Sequence, residues 1–319
     1  MNIKSFISLC QCPICGCELS ISNNNATTDC AKGHRYPLIN KRIPAILLNK
    51  EISQNTEQGA VNVGTEESFS AQWQMRKEED NIWGWNKDEM HDLLLTNSGL
   101  TRDQLSEKFV LDLGCGHGIF SMLIAETGAD VIGFDISNGF LDTDARLDAA
   151  LKEKINFIQG DVFNFPLKKE IVDLVWCSGV LHHTPDTKTA FNNVHHVVKK
   201  GGRFYLWLYK NVYYTKLLVL IRKLTTKIPE KLLVALCYVA APLFALVKWF
   251  LTVVKLNYRT FEKRTLRENA LSIHDTLSPP YRWHHEKEEV IQWFQEAGFE
   301  NITVSEDSAL GIGIYADKV

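Results

Sequence analysis

Residues able to do chemistry fall in four places along the middle of this chain, in a fixed order. The run Val110-Leu111-Asp112-Leu113 leads directly into Gly114-Cys115-Gly116-His117-Gly118. Glycines at such a turn leave out side chains and take dihedrals other residues resist, so backbone can come close to a nucleoside. Asp135 ends the next apolar run, VIGFD, where a carboxylate can accept from both ribose hydroxyls. Gly160-Asp161 ends the third run; an acid there can accept a hydrogen bond from an adenine amino group while the Val162 amide faces the ring. The fourth run, DLVWCSGVLHHTPD over 173–186, ends in a loop with His182 and His183.

Something must hold these groups in one place. Short runs rich in Val, Ile, Phe and Leu lie at 108–113, 130–135, 155–159, 172–177 and 203–209, with helical spacing between them at 118–127, 139–152 and 187–199. Strand–helix alternation with continuous apolar strands predicts an α/β fold, a parallel sheet covered on both faces. Residues 287–297 are spaced as a helix that stops at Gly298, and 300–305 with 310–316 read as a closing hairpin. Ligands in such sheets bind at the carboxyl ends of the strands.

A glycine turn by itself also fits a plain strand–helix turn, or a nicotinamide or flavin site. The G-x-G-x-G spacing, with Gly118 where the dinucleotide fingerprint has a non-glycine, departs from the latter. With the ribose acid, the G-D pair and the GVLHH loop all in order, the chain resembles the small-molecule branch of class I S-adenosylmethionine (SAM)-dependent methyltransferases, clearly over 105–210 and loosely over 258–319. That resemblance implies a Rossmann-like, seven-stranded, mostly parallel sheet with a reversed last strand. It places Asp112, Gly114, Cys115 and Gly116 near the methionine moiety, Asp135 and Ile136 at the ribose, and Asp161 and Val162 at the adenine. The Cys177–Ser178 backbone would flank the methionine amine. It implies methyl transfer to a small or lipid-like acceptor; an RNA methyltransferase and a non-catalytic SAM-binding protein are the alternatives.

Methyl transfer from a sulfonium is an in-line displacement, so alignment and exclusion of water dominate. Many acceptors must also lose a proton, which calls for a base. His182 and His183 are candidates. So is His284, in the polar segment 274–286, where Asp275 and Tyr281 are further acceptor-side candidates. Phe69, Trp73, Trp83 and Trp85 precede the first strand of the sheet; aromatic faces attract a sulfonium, and Phe69 and Trp73 are assigned to the cofactor. The competing reading for each is plain packing.

The amino terminus carries different chemistry. Cys12-x2-Cys15 is followed after fourteen residues by Cys30-x3-His34. Three thiolates and an imidazole suit tetrahedral zinc, and a unit of this size buries too little core to fold without such a staple. Residues 10–48 resemble the zinc ribbon of bacterial rRNA guanine-N1 methyltransferases, although Cys10 and Cys17 add thiols that leave the ligand choice open.

The chain divides as a Cys/His module (1–50), a polar linker (51–68) and a methyltransferase domain (69–319) with a helical insert (212–257). The overall charge of −3 argues against a nucleic-acid partner. It is unevenly spread: 210–267 holds twelve basic residues and two acidic ones. The insert is also strongly apolar, and 232–254 has the length of a membrane span interrupted by Pro242 and Lys248. It reads as a helical hairpin capping the site, as a helix pair lying on an anionic membrane, or as a transmembrane helix. With no export signal and clustered cysteines, the expected location is the cytoplasm, free or membrane-associated.

Overall fold

A computed structural model describes residues 2–47, 57–76, 85–212, 215–253, 265–308 and 310–319 of the 319. Trp83, the first part of the expected linker and insert residues 254–257 lie outside the described residues. Eleven strands form one mixed sheet: β1 (Leu19–Ile21), β2 (Thr27–Cys30), β3 (Arg35–Ile39), β4 (Ile43–Ile46), β5 (Phe109–Leu113), β6 (Asp130–Asp135), β7 (Ile155–Gly160), β8 (Val172–Ser178), β9 (Val198–Tyr209), β10 (Phe299–Asp307) and β11 (Gly311–Lys318). Their order is β1-β2-β3-β4-β7-β6-β5-β8-β9-β11-β10. Strands β4 to β9 run parallel from β4–β7 across to β8–β9. β11 runs against both β9 and β10, the expected reversed last strand.

Period-two alternation puts the parallel strands under cover on both faces. Leu111, Leu113, Ile132 and Phe134 point into one core with Phe191 and Val194 of helix Thr187–Val194 and Trp293 and Phe294 of helix Lys287–Glu296. Val110, Val131, Ile155 and Phe157 point into the other, with Leu94 of helix Lys87–Ser98 and Leu123 and Ile124 of helix Ile119–Ala125. The chain builds outward from β5 through β7 and then returns to β8 beside β5. The switch point therefore lies at the carboxyl ends of β5 and β8.

Two expectations need correction. The sheet has eleven strands, not seven, because the amino-terminal module extends it. β4, IPAI, is buried along its whole length and pairs parallel with β7, Ala45 against Gln159 and Ile46 against Gly160. Too small to cover its own apolar residues, the module adds Phe6, Ile7, Leu19, Tyr36 and Ile46 to the main core. Arg42 anchors the join, paired with Asp144 at 3.4 Å and donating to the Ile155 carbonyl at 2.9 Å. The polar stretch read as a linker is also partly structured: 57–68 forms most of helix Glu57–Gln74, here called the cap helix. Its polar Ser68 and Gln72 are buried, bonded to Ser278 and Asp275.

The insert is a hairpin of helices Thr215–Thr225 and Glu230–Val253, of the two-helix form expected. Leu233, Cys237 and Ala241, at i, i+4 and i+8, pack one face of its long helix onto Ala270 and Leu271 of helix Leu266–Leu277 and onto Met75.

Candidate functional site

The carboxyl ends of β5 to β8 bring the four sequence motifs together. Gly114 and Gly116 have φ of +76° and +54°, the left-handed region that glycine tolerates and other residues resist. Contact excludes other residues as well. A Cβ on Gly114 would lie 2.2 Å from a Val180 methyl, and one on Gly116 would lie 2.4 Å from the Trp73 ring. Val180 belongs to the loop after β8 and Trp73 to the cap helix, so the turn is covered from both sides. Arg76, just past the cap helix, reaches His117 Nδ1 at 3.1 Å.

Beneath the turn lie two buried carboxylates. Asp112 accepts from the Ser121 hydroxyl at 2.6 Å. Asp135 accepts from the amides of Gly116 (2.7 Å) and Ser137 (2.8 Å), which locks the turn to β6. Burial pushes the Asp112 carboxyl up to about 7, helped by the neighbouring Asp135 charge and opposed by Ser121. Burial also raises Asp135, with the Ser137 and Gly116 donors pulling it back. Among the described residues no lysine, arginine or histidine pairs with either acid. The site is thus short of positive charge and suited to a ligand that carries it.

The other cofactor-side candidates are placed as follows. Ile136 is half-buried beside Asp135, and its carbonyl accepts from Gln159. Asp161 caps the short helix Val162–Asn164, accepting from the Phe163 amide at 2.9 Å. Val162 is buried beside it. Cys115 and Cys177 are buried thiols raised by burial, hence neutral. Ser178 is half-buried at the end of β8, opposite Trp207 of β9. Phe69 does not face this group: its ring meets His183 at 5.2 Å, on the side of the histidine loop.

The expected acceptor-side residues are assembled from five segments. His183 donates from Nδ1 to the Tyr281 carbonyl at 2.8 Å, which fixes the tautomer and leaves Nε2 with the lone pair. His182 is the reverse: its Nδ1 accepts from the Tyr209 amide at 3.3 Å, and Nε2 is buried without a partner. Burial lowers both rings, His183 to about 4 with Asp275 and the Tyr281 carbonyl opposing. His284 is half-buried, 5.8 Å from the Tyr209 ring, and likewise lowered to about 4 by burial. The structure brings His182 and His183 together and sets His284 apart from them, across Tyr209.

Four residues absent from the sequence reading complete this wall. Tyr209 donates to Asp275 at 3.0 Å, and the Arg282 guanidinium lies 3.7 Å over its ring. Gln72 of the cap helix reaches Asp275 at 3.5 Å and keeps its buried carbonyl oxygen unpaired. Arg222, buried, comes from the insert. Tyr209 and Gln72 carried no spacing signal. A lone arginine in LIRKL looks like any other basic residue of that stretch.

In the amino-terminal module, the ligand atoms of Cys12, Cys15, Cys30 and His34 all lie within 4.8 Å of one another. His34 turns Nδ1 inward, 3.4 Å from both Cys12 and Cys30. Gly16 and Gly33, at φ +70° and +84°, close the turns that present Cys15 and His34. Cys10 and Cys17 lie outside this group: Cys10 is buried against the Phe6 carbonyl.

Comparisons with known proteins bear on the middle of the chain. Residues 111–206, the stretch that holds all four motifs, match a family described as a methyltransferase domain. A demethylmenaquinone methyltransferase of Lactococcus lactis is 32% identical over 117 residues, 35% of this chain and 46% of that protein. A ubiquinone biosynthesis O-methyltransferase of Coxiella burnetii is 31% identical over 101 residues, 32% of this chain and 43% of that protein. The chain therefore spans under half the length of these curated relatives. Among solved structures, magnesium protoporphyrin IX methyltransferase of Synechocystis with S-adenosylhomocysteine overlays with a TM-score of 0.47 at 15% identity, covering 82% of this chain and 98% of that one.

Proposed function

We propose that this protein is a SAM-dependent methyltransferase acting on a small or lipid-like acceptor. The observation that carries the reading is the pair of buried, cation-free carboxylates, Asp112 and Asp135, under a glycine turn at the sheet's switch point. SAM supplies an activated methyl on a sulfonium and brings a net positive charge. Asp112 answers that charge. Asp135 is assigned to the ribose hydroxyls and Asp161 to the adenine amino group. Trp73 of the cap helix, packed against Gly116, supplies an aromatic cover that excludes water over the nucleoside. His183 holds an oriented lone pair toward the acceptor side. Gln72 and Arg282 offer it an amide and a guanidinium, suited to holding an acceptor oxygen.

By their names, the two relatives above act on demethylmenaquinone and in ubiquinone biosynthesis, both quinone-type chemistry. An acceptor of that chemical kind suits the apolar insert beside this site, and a cytoplasmic enzyme in contact with a membrane fits both. The matching test is calorimetry with SAM. Asp135→Ala is expected to weaken binding more than tenfold, about 1.4 kcal/mol. An unchanged affinity removes the ribose assignment.

Zinc fits the four-residue cluster: three sulfurs and one imidazole nitrogen converge in a small unit. Its role is structural, since the cluster sits at the far edge of the sheet, beyond β4. One metal per chain is expected by elemental analysis. Because Ile46 and Tyr36 belong to the main core, chelation should lower the melting temperature of the protein by several degrees. A metal-free chain with the same melting temperature would reject a structural metal.

A further inference from the structure

The insert displays an apolar surface that the fold leaves uncovered. Of twenty exposed large hydrophobic residues among those described, fourteen lie on its two helices. Scattered singly such residues mean little; concentrated on one hairpin they form a patch. Leu224 is 72% exposed and Val239 77%, with Leu243, Trp249 and Phe250 along the same long helix. Glu230–Phe250 is long and apolar enough to cross a membrane, yet only 17% of it is buried in the fold.

Charge identifies the occupant. Residues 212–257 hold seven bases and one acid. The acid, Glu230, turns inward to His274 and Ser278. Lys223, Lys227 and Lys231 are exposed around the hairpin's turn. The outward surface is therefore apolar along the helices and positive at the turn, which matches an anionic headgroup layer over acyl chains. A crossing helix would have to pull Leu233, Cys237 and Ala241 away from Ala270, Leu271 and Met75, so the hairpin lies in the interface plane.

The same hairpin is tied to the acceptor wall. Arg222 donates to the carbonyls of Thr276 and Pro279, and Thr225 to that of Leu277. Glu230 holds His274 and Ser278; Ser278 in turn bonds Ser68 of the cap helix. This segment ends at Tyr281, whose carbonyl fixes His183. Hydrogen bonds, together with the short stretch of chain from 278 to 281, thus join the exposed helices to the candidate base and to the cap.

We propose that the insert docks the protein on an anionic membrane surface and that docking is transmitted through Arg222 and Glu230 to the 274–281 segment and the cap helix. The acceptor is then a lipid-phase molecule taken up at the membrane. The acceptor clause rests on the methyl-transfer reading; the docking does not.

Vesicle flotation of the full chain tests it, with phosphatidylcholine alone and with added phosphatidylglycerol. The wild type should float with the anionic vesicles, less so in high salt. The variant V239E/L243E should lose at least about tenfold in partition while binding SAM as the wild type does, which shows that it remains folded. Amides of 274–281 should change their hydrogen exchange in vesicle-bound wild type. No flotation, or equal flotation of the variant, overturns docking; unchanged exchange overturns the transmission. A wild type that self-associates where the variant is monomeric makes the patch a contact between copies, which also overturns the proposal. Flotation without SAM binding would instead remove the methyl-transfer reading and leave docking intact.

Discussion

Asp112→Asn is expected to make the cofactor-free protein more stable and a much poorer binder of SAM. The carboxyl of Asp112 is buried and held at about 7 against an ordinary 3.8. Between these pH values the folded state binds the proton and the unfolded state does not. Stability therefore falls as pH rises from about 4 to 7, by up to about 4 kcal/mol at one pH unit per 1.36 kcal/mol. Asparagine keeps an oxygen for the Ser121 hydroxyl without the charge. At pH 8 the variant should melt several degrees above the wild type; below pH 4 the two should coincide. Calorimetry should show SAM affinity down at least about tenfold. In the wild type that affinity should rise with pH up to about 7 and level off above it, because only the ionised acid answers the cation. A variant no more stable at pH 8, or one that binds SAM normally, would contradict the role of this carboxylate.

Such a trade of stability for binding is characteristic of functional sites, and it explains what could be read from the chain. The parallel strands were legible because β5 to β8 are buried on both faces and so are apolar throughout. The carboxylates were legible because each lies within one residue of the carboxyl end of such a strand, where a glycine or a turn follows or precedes. The edge of the sheet was not. IPAI in β4 reads the same whether it closes a small metal module or extends a large sheet, and only the open edge of β7 decides. The cap helix was missed because its polar sequence, EQGAVNVGTEESFSAQWQ, carries no apolar stripe. What it brings to the site is two single residues, Gln72 against Asp275 and Trp73 against Gly116. Nor does the adjacency of two histidines say which one carries the lone pair. That follows from Tyr281, nearly a hundred residues away, and from the amide of Tyr209.

His183→Gln is the variant with the largest expected loss of turnover. Both histidines are buried and neutral, but their hydrogen bonds set them in opposite roles. His183 donates its Nδ1–H to the Tyr281 carbonyl, which keeps the proton on Nδ1 and leaves Nε2 free to accept one. His182 spends its acceptor on the Tyr209 amide and can only donate. A positioned base is worth about 10²- to 10⁴-fold, the upper end only where its pKa lies near the working pH, so about 10²-fold is expected of a ring held low by burial. Glutamine fills similar space and hydrogen-bonds but cannot take a proton at neutral pH. Once labelled SAM has identified the acceptor in extracts, His183→Gln should lower kcat by that factor with little change in SAM affinity. His182→Gln should act mainly on stability, since it disturbs packing against Tyr209 and His183 at ring distances of 4.2 and 4.3 Å. The pH profile separates the groups further. Burial holds the His183 ring at about 4, so its lone pair survives far below neutrality. Any fall in kcat/KM near pH 7 then belongs to Asp112, and kcat at saturating SAM should hold to lower pH. A kcat within about threefold of wild type in His183→Gln would transfer the proton to another group, with His284 beyond Tyr209 the next to test.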